Sequence, residues 1–177
     1  MNDAIALVPS SPDWPAAYAL ARDEIVSLLP TPPLLIEHIG STAVPGLMSK
    51  PVIDIIVLVA AMEPARGAIA QLEQVGYEFR PEVSNPARLF LRRRGPDGVR
   101  THHLHIHTDP EDVQRHLLFR DRLRADQALR RDYEALKQDL ARRHASDREA
   151  YAKGKDAFID AVVRAAGGPE RRPFWKA

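Results

Sequence analysis

The 177-residue chain has no cysteine, which excludes disulfide bonds, thiolate metal sites and a cysteine nucleophile. It also has no apolar run of about 18 residues, so we expect no segment that spans a membrane. The formal net charge is only +1, so bulk charge favours neither a membrane surface nor nucleic acid as a partner. Residues 1–14 lack the basic and apolar regions of a secretory signal, which leads us to expect a cytoplasmic protein.

Hydrophobic residues make up 45% of the chain and charged residues 28%, as in an ordinary globular protein. A length of 177 residues suits one domain with its own core and is short for two. No polar linker separates the strand-rich part of the sequence from its helical part. We therefore expect a single domain over residues 1–166, followed by a loose C-terminal tail over residues 167–177.

The spacing of apolar residues predicts an α+β (or α/β-like) fold. The first helix is expected to begin at Asp13, as its N-cap, and to end at Pro30. Strands are predicted over residues 34–39, 52–59, 77–80, 89–94 and 100–107, and a second helix over residues 64–74. Beyond residue 108 the pattern is helical, and Asp109, Asp126 and Asp147 stand where three helices would begin. The prediction is a mixed β-sheet with helices and a helical C-terminal third.

A Gly-Ser turn and a later aspartate suggest a phosphate site. Gly40 has no Cβ, so its backbone can approach a phosphate, and the hydroxyls of Ser41 and Thr42 add donors beside it. Asp54 lies in the apolar strand that follows, where a carboxylate is costly unless it is paired or binds a metal. Lys50 precedes that strand and can contact a phosphate. Nucleotidyl and phosphoryl transfer need such an arrangement, although a loop-capping role explains the turn and the aspartate equally well.

A run of histidines lies in the last predicted strand. Alternation places His103, His105 and His107 on one face and Leu104 and Ile106 on the other. Imidazoles on one face are then about 7 Å apart, from two residues at about 3.3 Å rise. Two neutral imidazoles at this spacing can share a metal or reach one substrate. We therefore predict that His103 and His105 belong to the site, with a purely structural role as the alternative.

Basic residues supply further candidates for binding substrate. The arginines between residues 88 and 100 either protect an edge strand by their charge or give Arg88 or Arg92 to a phosphate. Arg120 is expected to point inward from its helix, where it pairs with a carboxylate of the protein or of the substrate. Lys137 lies beside an apolar stripe, where lysine often extends along apolar surface towards water, and is kept as a candidate.

Several segments together resemble a known family. They are residues 36–47 (IEHIGSTAVPGL), 50–55 (KPVIDI), 101–105 (THHLH), 119–121 (FRD) and 133–137 (YEALK). In this order they resemble the GrpB family, whose domain also occurs fused to some bacterial dephospho-CoA kinases. The resemblance implies a nucleotidyltransferase-like fold, in which Gly40 and Ser41 form the phosphate turn and Asp54 is the first metal ligand.

The sequence departs from active nucleotidyltransferases at one point. Such enzymes carry a second carboxylate two residues after the first, and Ile56 occupies that position here. The third carboxylate comes from a later strand, where this chain offers His103 and His105. Either the histidines complete a modified site for Mg²⁺ or Mn²⁺, with Asp54, His103 and His105 as ligands and catalytic residues, or the fold binds a nucleotide without turnover.

Three functions follow from these observations. The first is metal-dependent transfer of a nucleotidyl or phosphoryl group from a nucleoside triphosphate to a small acceptor of unknown identity. The second is a non-catalytic domain that binds a nucleotide or a CoA-like ligand, or that assists a partner enzyme. The third is a metal hydrolase based on the histidines.

Overall fold

The computed structural model describes residues 5–172. Its sheet contains five strands, namely β1 (Leu35–Ile39), β2 (Ile53–Leu58), β3 (Tyr77–Phe79), β4 (Arg88–Arg94) and β5 (Arg100–His107). The strand order is β1-β2-β5-β4-β3. Strands β2 and β5 are parallel and all other neighbours are antiparallel, so the predicted mixed sheet is confirmed.

Seven α-helices accompany the sheet in this part of the chain, and four of them form the C-terminal third. They are α1 (Trp14–Leu28), α2 (Met62–Gly67), α3 (Ile69–Gln74), α4 (Pro110–Ala125), α5 (Gln127–Arg143), α6 (Arg148–Lys153) and α7 (Asp156–Ala165). The α+β class and the helical C-terminal third are confirmed. None of the helices within residues 5–172 is long and apolar enough to cross a bilayer.

One face of the sheet is covered by α1, α2 and α3. Successive strand residues point to opposite faces, and the apolar members of β2, β4 and β5 point to this side. Ile55, Leu91, Leu104 and Ile106 are fully buried there. This face forms the larger part of the core, because burial of each such side chain is worth about 1.5–3 kcal/mol.

The other face carries the polar residues of the same strands. Asp54 of β2, His103 of β5 and Arg92 of β4 are registered side by side across it. Helix α4 covers only part of this face, through Val113, which packs against Ile56 and its neighbours. The side chains of Asp54, His103 and His105 therefore stay partly exposed beside α4, and we call this part of the face the cleft.

The helix caps test the local predictions. The side chains of Asp109, Asp126 and Asp147 each accept a backbone N–H at the start of α4, α5 and α6, as predicted. Asp13 is the N-cap residue of α1, as predicted, but its side chain makes no capping bond, and its backbone N–H donates to Ser11 Oγ.

The third C-terminal helix is also corrected, because it divides into α6 and α7 at Gly154. A Cβ at Gly154 would lie 2.4 Å from Leu140 Cδ2, so a larger residue at the junction would have to push the Leu140 side chain aside.

The segment after α7 makes contacts as far as the structure describes it. Arg115 donates to the carbonyl of Pro169 and to Asp160, and Arg171 pairs with Asp160 as well. Arg172 pairs with Asp109, the N-cap of α4. Residues 167–172 of the predicted loose tail are thus held against α4 and α7, and residues 173–177 lie outside the described part.

Candidate functional site

Asp54 and two histidines meet at the centre of the cleft. His103 is the register partner of Asp54 on the neighbouring parallel strand, and its Nδ1 lies 2.9 Å from Asp54 Oδ1. His105 Nε2 lies 4.0 Å from the same oxygen. One ligand atom from each residue lies within 4.8 Å of the other two, the spacing of a metal-binding group. The predicted alternation of the histidine strand therefore brings the three predicted ligands together.

The electrostatics keep the carboxylate charged and His105 neutral. Burial raises the pKa of Asp54, but the hydrogen bond from His103 and the interaction with His105 outweigh burial and hold this pKa well below its usual value. Burial lowers the pKa of His105 to about 3, and the nearby carboxylate offsets only part of this shift. At neutral pH the site is therefore an ionised carboxylate beside a neutral imidazole ring.

The donor set suits some divalent cations better than others. Mg²⁺ prefers oxygen ligands in a strict octahedron, whereas Mn²⁺ and other transition ions also accept imidazole nitrogen. Here one carboxylate stands with two imidazoles, so the donors fit Mn²⁺ better than Mg²⁺. In this structure His103 Nδ1 hydrogen-bonds to Asp54. A cation between the three residues would replace that bond as the counter-charge of the carboxylate.

The Gly-Ser turn lies directly against Asp54. Gly40 has a φ of +71°, and a Cβ at this position would lie 2.4 Å from Asp54 Oδ2. Ser41 begins a short 3-10 helix, and its side chain is close enough to the Tyr133 hydroxyl to lower the Tyr133 pKa, which burial raises. Thr42 instead points into the protein, where its hydroxyl donates to the carbonyl of Val52 at 3.0 Å. The structure thus brings Gly40 and Ser41 to the site and directs the Thr42 side chain away from it.

Three lysines gather next to this turn. Lys50 and Lys155 lie on the ring of Tyr151, with Nζ at 5.0 and 4.6 Å from the ring centroid. Lys137 Nζ lies 5.2 Å from the centroid of Tyr133 and donates to the carbonyl of Met48. We call Lys50, Lys137 and Lys155 the lysine pocket.

The charges of the lysine pocket repel one another. Burial lowers the pKa of Lys137 to about 7 and that of Lys50 to about 8, and in both cases the charge of Lys155 lowers the pKa further. Burial also lowers the pKa of Lys155, while the charge of Asp54 raises it. Several ammonium groups in one half-buried place favour a polyanion, because the anion removes their mutual repulsion.

Sequence reasoning missed Lys155. This residue is the N-cap of α7 and directly follows Gly154, so it belongs to no periodic pattern. Gly154 was the one local signal available, because a glycine near the end of a helical pattern can mark the end of the helix, as it does for α6.

The two candidate arginines of β4 have different partners. Arg92 forms a two-pronged pair with Glu78, with Nε and Nη2 at 2.7 and 2.9 Å from the carboxylate oxygens. Arg88 points along the sheet, where its Nη2 lies 3.2 Å from His105 Nδ1 and its guanidinium lies 5.7 Å from the ring centroid of Phe90. The structure brings Arg88 to the site and neutralises Arg92 with a carboxylate of the protein.

Arg120 points inward from α4, as predicted, and is buried. Its Nη1 donates to Glu37 Oε2 at 2.7 Å and to the carbonyl of His38 at 2.9 Å, and its Nε donates to Asp121 at 2.7 Å. These bonds attach α4 to β1, so Arg120 fixes the wall of the cleft.

A further histidine faces the cleft from α4. The ring centroid of His116 lies 6.2 Å from the centroids of both His105 and His107. His107 is buried, and its Nδ1 lies 3.1 Å from Asp112 Oδ2. Sequence reasoning missed His116, although Asp112 and His116 are four residues apart and share one face of α4.

Comparison with known proteins identifies the family. The sequence profile described as GrpB protein matches residues 4–165. The chain belongs to the GrpB family. The UPF0157 protein PA4798 of Pseudomonas aeruginosa is 40% identical over 175 residues, which cover 98% of this chain and 72% of that protein. A dephospho-CoA kinase of Mycolicibacterium paratuberculosis is 31% identical over 186 residues, which cover 91% of this chain but only 46% of the kinase.

Solved structures confirm the predicted nucleotidyltransferase-like fold of this GrpB chain. The crystal structure of the conserved protein GrpB from Enterococcus faecalis aligns with a TM-score of 0.82 at 36% identity, covering 91% of this chain and 96% of that one. Cid1, a poly(U) polymerase, was solved in complex with its short product ApU and aligns with a TM-score of 0.54 at 16% identity. That alignment covers 76% of this chain and 43% of Cid1. At such low identity the likeness concerns the fold alone.

Ile56 marks where this GrpB chain departs from a three-carboxylate site. It lies two residues after Asp54 on the same strand and is registered with His105 of β5. It is fully buried and packs against Ile39 and Val113 beneath α4. An apolar contact therefore occupies the position where the second acidic ligand is expected.

Proposed function

We propose that this GrpB chain transfers a nucleotidyl or phosphoryl group from a nucleoside triphosphate to a small acceptor. The contact between Gly40 and the carboxylate of Asp54 carries this proposal, because it puts the Gly-Ser turn and the ionised group into one cleft. A glycine held at positive φ against a carboxylate loses conformational freedom on folding. A loop that only connects two strands does not need this conformation, so the contact indicates a functional role.

The triphosphate would lie between the Gly-Ser turn and the lysine pocket. Backbone N–H groups of the turn at Gly40 and Ser41 are anion donors, and the three ammonium groups supply the counter-charge. Tyr133 and Tyr151 form the apolar walls that hold the lysines in place. A lysine that is charged there is a stronger partner for phosphate than one in open water, because charge interactions are screened less in a buried place.

Asp54, His103 and His105 are the residues that would hold a divalent cation, and their donors fit Mn²⁺ better than Mg²⁺. When bound, such an ion neutralises charge that develops on the phosphate oxygens. For Nε2 of His105 to bind the cation, the hydrogen of the neutral ring must lie on Nδ1. Arg88 must then move away, because a guanidinium only donates hydrogen bonds.

The proposed group transfer needs no oxidant or reductant. For nucleotidyl transfer, the acceptor hydroxyl oxygen forms a bond to the α-phosphorus, the bond from that phosphorus to pyrophosphate breaks, and the hydroxyl proton is released. For phosphoryl transfer, the same attack falls on the γ-phosphorus and the nucleoside diphosphate leaves. The residues of the chain bind and orient both partners, which is the larger part of catalysis in such reactions.

An assay of Asp54→Asn tests the proposal. The wild-type chain is incubated with labelled nucleoside triphosphates, Mn²⁺ or Mg²⁺, and a panel of small acceptors. We expect transfer that falls at least about a hundredfold in the variant, because the charge that organises the site is gone. Asp132→Asn, at an exposed position of α5, is the matched control and keeps wild-type activity. No transfer by the wild-type chain, or equal transfer by Asp54→Asn, contradicts the proposal.

Ile56 favours a second candidate function, a non-catalytic domain that binds a nucleotide or CoA-like ligand. A buried apolar side chain at this position leaves Asp54 as the one acidic residue of the candidate metal group within residues 5–172. The similarity to dephospho-CoA kinases agrees with a supporting role beside another enzyme. Calorimetry separates the two functions. Tight nucleotide binding that needs no metal and leads to no turnover supports the second.

A further inference from the structure

The connection between β1 and β2 carries the Gly-Ser turn beyond the end of the strand pairing. The two strands pair as far as Ile39 and Asp54, and residues 40–52 between them lie outside this ladder. Gly40 nevertheless packs so closely on Asp54 that a Cβ would lie 2.4 Å from Oδ2. Because the ladder ends before the turn, other contacts hold Gly40 at this distance.

The Thr42 side chain links the turn to the start of β2. It is buried, and its hydroxyl donates to the carbonyl of Val52 at 3.0 Å. Thr42 lies two residues after Gly40, and Val52 lies two residues before Asp54. This hydrogen bond therefore joins the two chain segments that carry Gly40 and Asp54, just beyond the last pair of the ladder.

His38 supplies the second hydrogen bond of the Thr42 hydroxyl. Its Nε2 lies 3.0 Å from Thr42 Oγ1. The single hydrogen of the hydroxyl is donated to Val52, so Thr42 accepts from His38, and the hydrogen of the ring lies on Nε2. Burial lowers the pKa of His38 to about 4, so the ring is neutral at pH 7. The three groups form one directed chain of hydrogen bonds from β1 through the turn to β2.

His38 is itself held from two sides. Its ring stacks on that of Tyr18 in α1, with centroids 4.9 Å apart and an angle of 11° between the planes. Its carbonyl accepts from Arg120 Nη1 of α4 at 2.9 Å. A buried polar chain whose members are all paired rigidifies its surroundings. The chain that begins at His38 thus fixes the turn to elements on both faces of the sheet.

We propose that His38 and Thr42 are positioning residues, which hold the Gly-Ser turn against Asp54 through the carbonyl of Val52. Both side chains are buried, so they act on a triphosphate only through the turn. The inference rests on the proposed function, because it concerns the same site. It gives Thr42 a role different from the phosphate donor predicted from the sequence.

Calorimetry with inorganic triphosphate on the full chain tests the inference. Thr42→Val keeps the shape of the side chain and removes the hydroxyl, which leaves His38 Nε2 and the Val52 carbonyl without this partner. We expect triphosphate affinity to fall at least about fivefold, because the turn is no longer held in place. Thr42→Ser keeps the hydroxyl, and its affinity should stay within about twofold of wild type.

A second pair of variants separates the hydrogen bond of His38 from its ring stack. His38→Phe keeps a ring on Tyr18 and loses the donor, so we expect a loss of affinity similar to that of Thr42→Val. His38→Gln keeps an N–H donor and loses the stack, so its affinity should fall less. If circular dichroism finds that Thr42→Val does not fold, the comparison of these two variants takes its place.

A control variant separates positioning from a general loss of stability. Ile25→Val removes one methylene group from a fully buried side chain in the core under the covered face. This change destabilises the fold without touching the turn. We expect its triphosphate affinity to stay within about twofold of wild type. A loss as large as that of Thr42→Val would mean that His38 and Thr42 serve stability alone.

Hydrogen exchange tests the position of the turn without any ligand. The amides of Ala43 and Val44 donate to the carbonyls of Gly40 and Ser41 at 3.3 and 3.2 Å. We expect both amides to exchange at least about tenfold faster in Thr42→Val than in wild type, as measured by NMR, because the turn opens locally. Thr42→Ser should exchange at the wild-type rate.

Two results overturn the inference, namely equal triphosphate affinity of wild type and a folded Thr42→Val, or unchanged exchange at the turn. The failure of the proposed function looks different. A wild-type chain that binds no triphosphate contradicts the proposed transfer, and the exchange measurement then still decides whether His38 and Thr42 hold the turn.

Discussion

The two faces of the sheet are made from the same strands and have opposite chemistry. On β5, Leu104 and Ile106 are fully buried under the N-terminal helices, and the residues that alternate with them, His103 and His105, point into the cleft. On β2, Ile55 is fully buried, whereas the side chain of Asp54 keeps 27% of its exposure. Both strands thus supply the larger core with every second residue, while Asp54, His103 and His105 of the candidate site come from the alternate positions.

The comparison shows that the covered face of the sheet provides most of the stability and that the cleft face carries the candidate site. The covered face gains free energy from apolar burial and needs no hydrogen bonds. The cleft face holds a carboxylate and several imidazoles, which are costly to bury unless they are paired. Their mutual hydrogen bonds, such as that between His103 and Asp54, offset the cost without adding much to stability. We therefore expect substitutions on the two faces to have separable effects.

The largest expected effect is on the covered face. Leu104→Ala should lower the free energy of unfolding by about 3 kcal/mol, because Leu104 is fully buried and the change leaves a cavity. His103→Asn, one residue away on the other face, should lower it by about 1 kcal/mol or less. Urea unfolding followed by circular dichroism measures both. Equal losses in the two variants contradict the separation of the faces.

A smaller effect is expected for the charges that face the cleft. Lys155→Met should weaken the binding of inorganic triphosphate about tenfold, because one charge-assisted contact is lost. Lys153→Met is the matched control, since Lys153 is exposed and pairs with Glu149 at 2.7 Å. We expect its affinity to stay within about twofold of wild type, as measured by calorimetry. If Lys153→Met weakens binding as much as Lys155→Met, triphosphate binds by overall charge and not in the lysine pocket.

The smallest expected effect is the pH dependence of the same binding. The pKa of Lys137 is lowered to about 7 and that of Lys50 to about 8, mainly by burial, so these lysines lose their charge as pH rises through this range. A bound anion raises both pKa values, so binding takes up protons and its affinity falls as pH rises. We expect a loss of about fivefold from pH 7 to pH 9. Lys137→Met should flatten this profile, and an affinity that rises with pH argues against lysine binding.

Much of the fold follows from local patterns. The alternation of β5 from residue 100 to residue 107 predicted which histidines share a face, because the side-chain period of a strand is fixed by its backbone. The caps at Asp109, Asp126 and Asp147 were predictable for a similar reason, since a short acidic side chain satisfies nearby backbone N–H groups.

Other features depend on contacts between distant residues. The close packing of Gly154 against Leu140 on another helix is one of them, because no local pattern records it. The difference between Arg88 and Arg92 arises from Glu78 on β3, because a strand pattern shows the direction of an arginine but not its partner.

The sequence by itself determined the strand and helix pattern and the three residues that the structure brings together, Asp54, His103 and His105. It did so because they lie on regular strands whose geometry is local. Tertiary structure alone decided that Lys50, Lys137 and Lys155 lie together beside them. Lys137 and Lys155 follow Asp54 by more than 80 residues and reach the cleft only because the C-terminal helices pack beside the Gly-Ser turn. Such packing depends on the shapes of whole surfaces, which no residue spacing encodes.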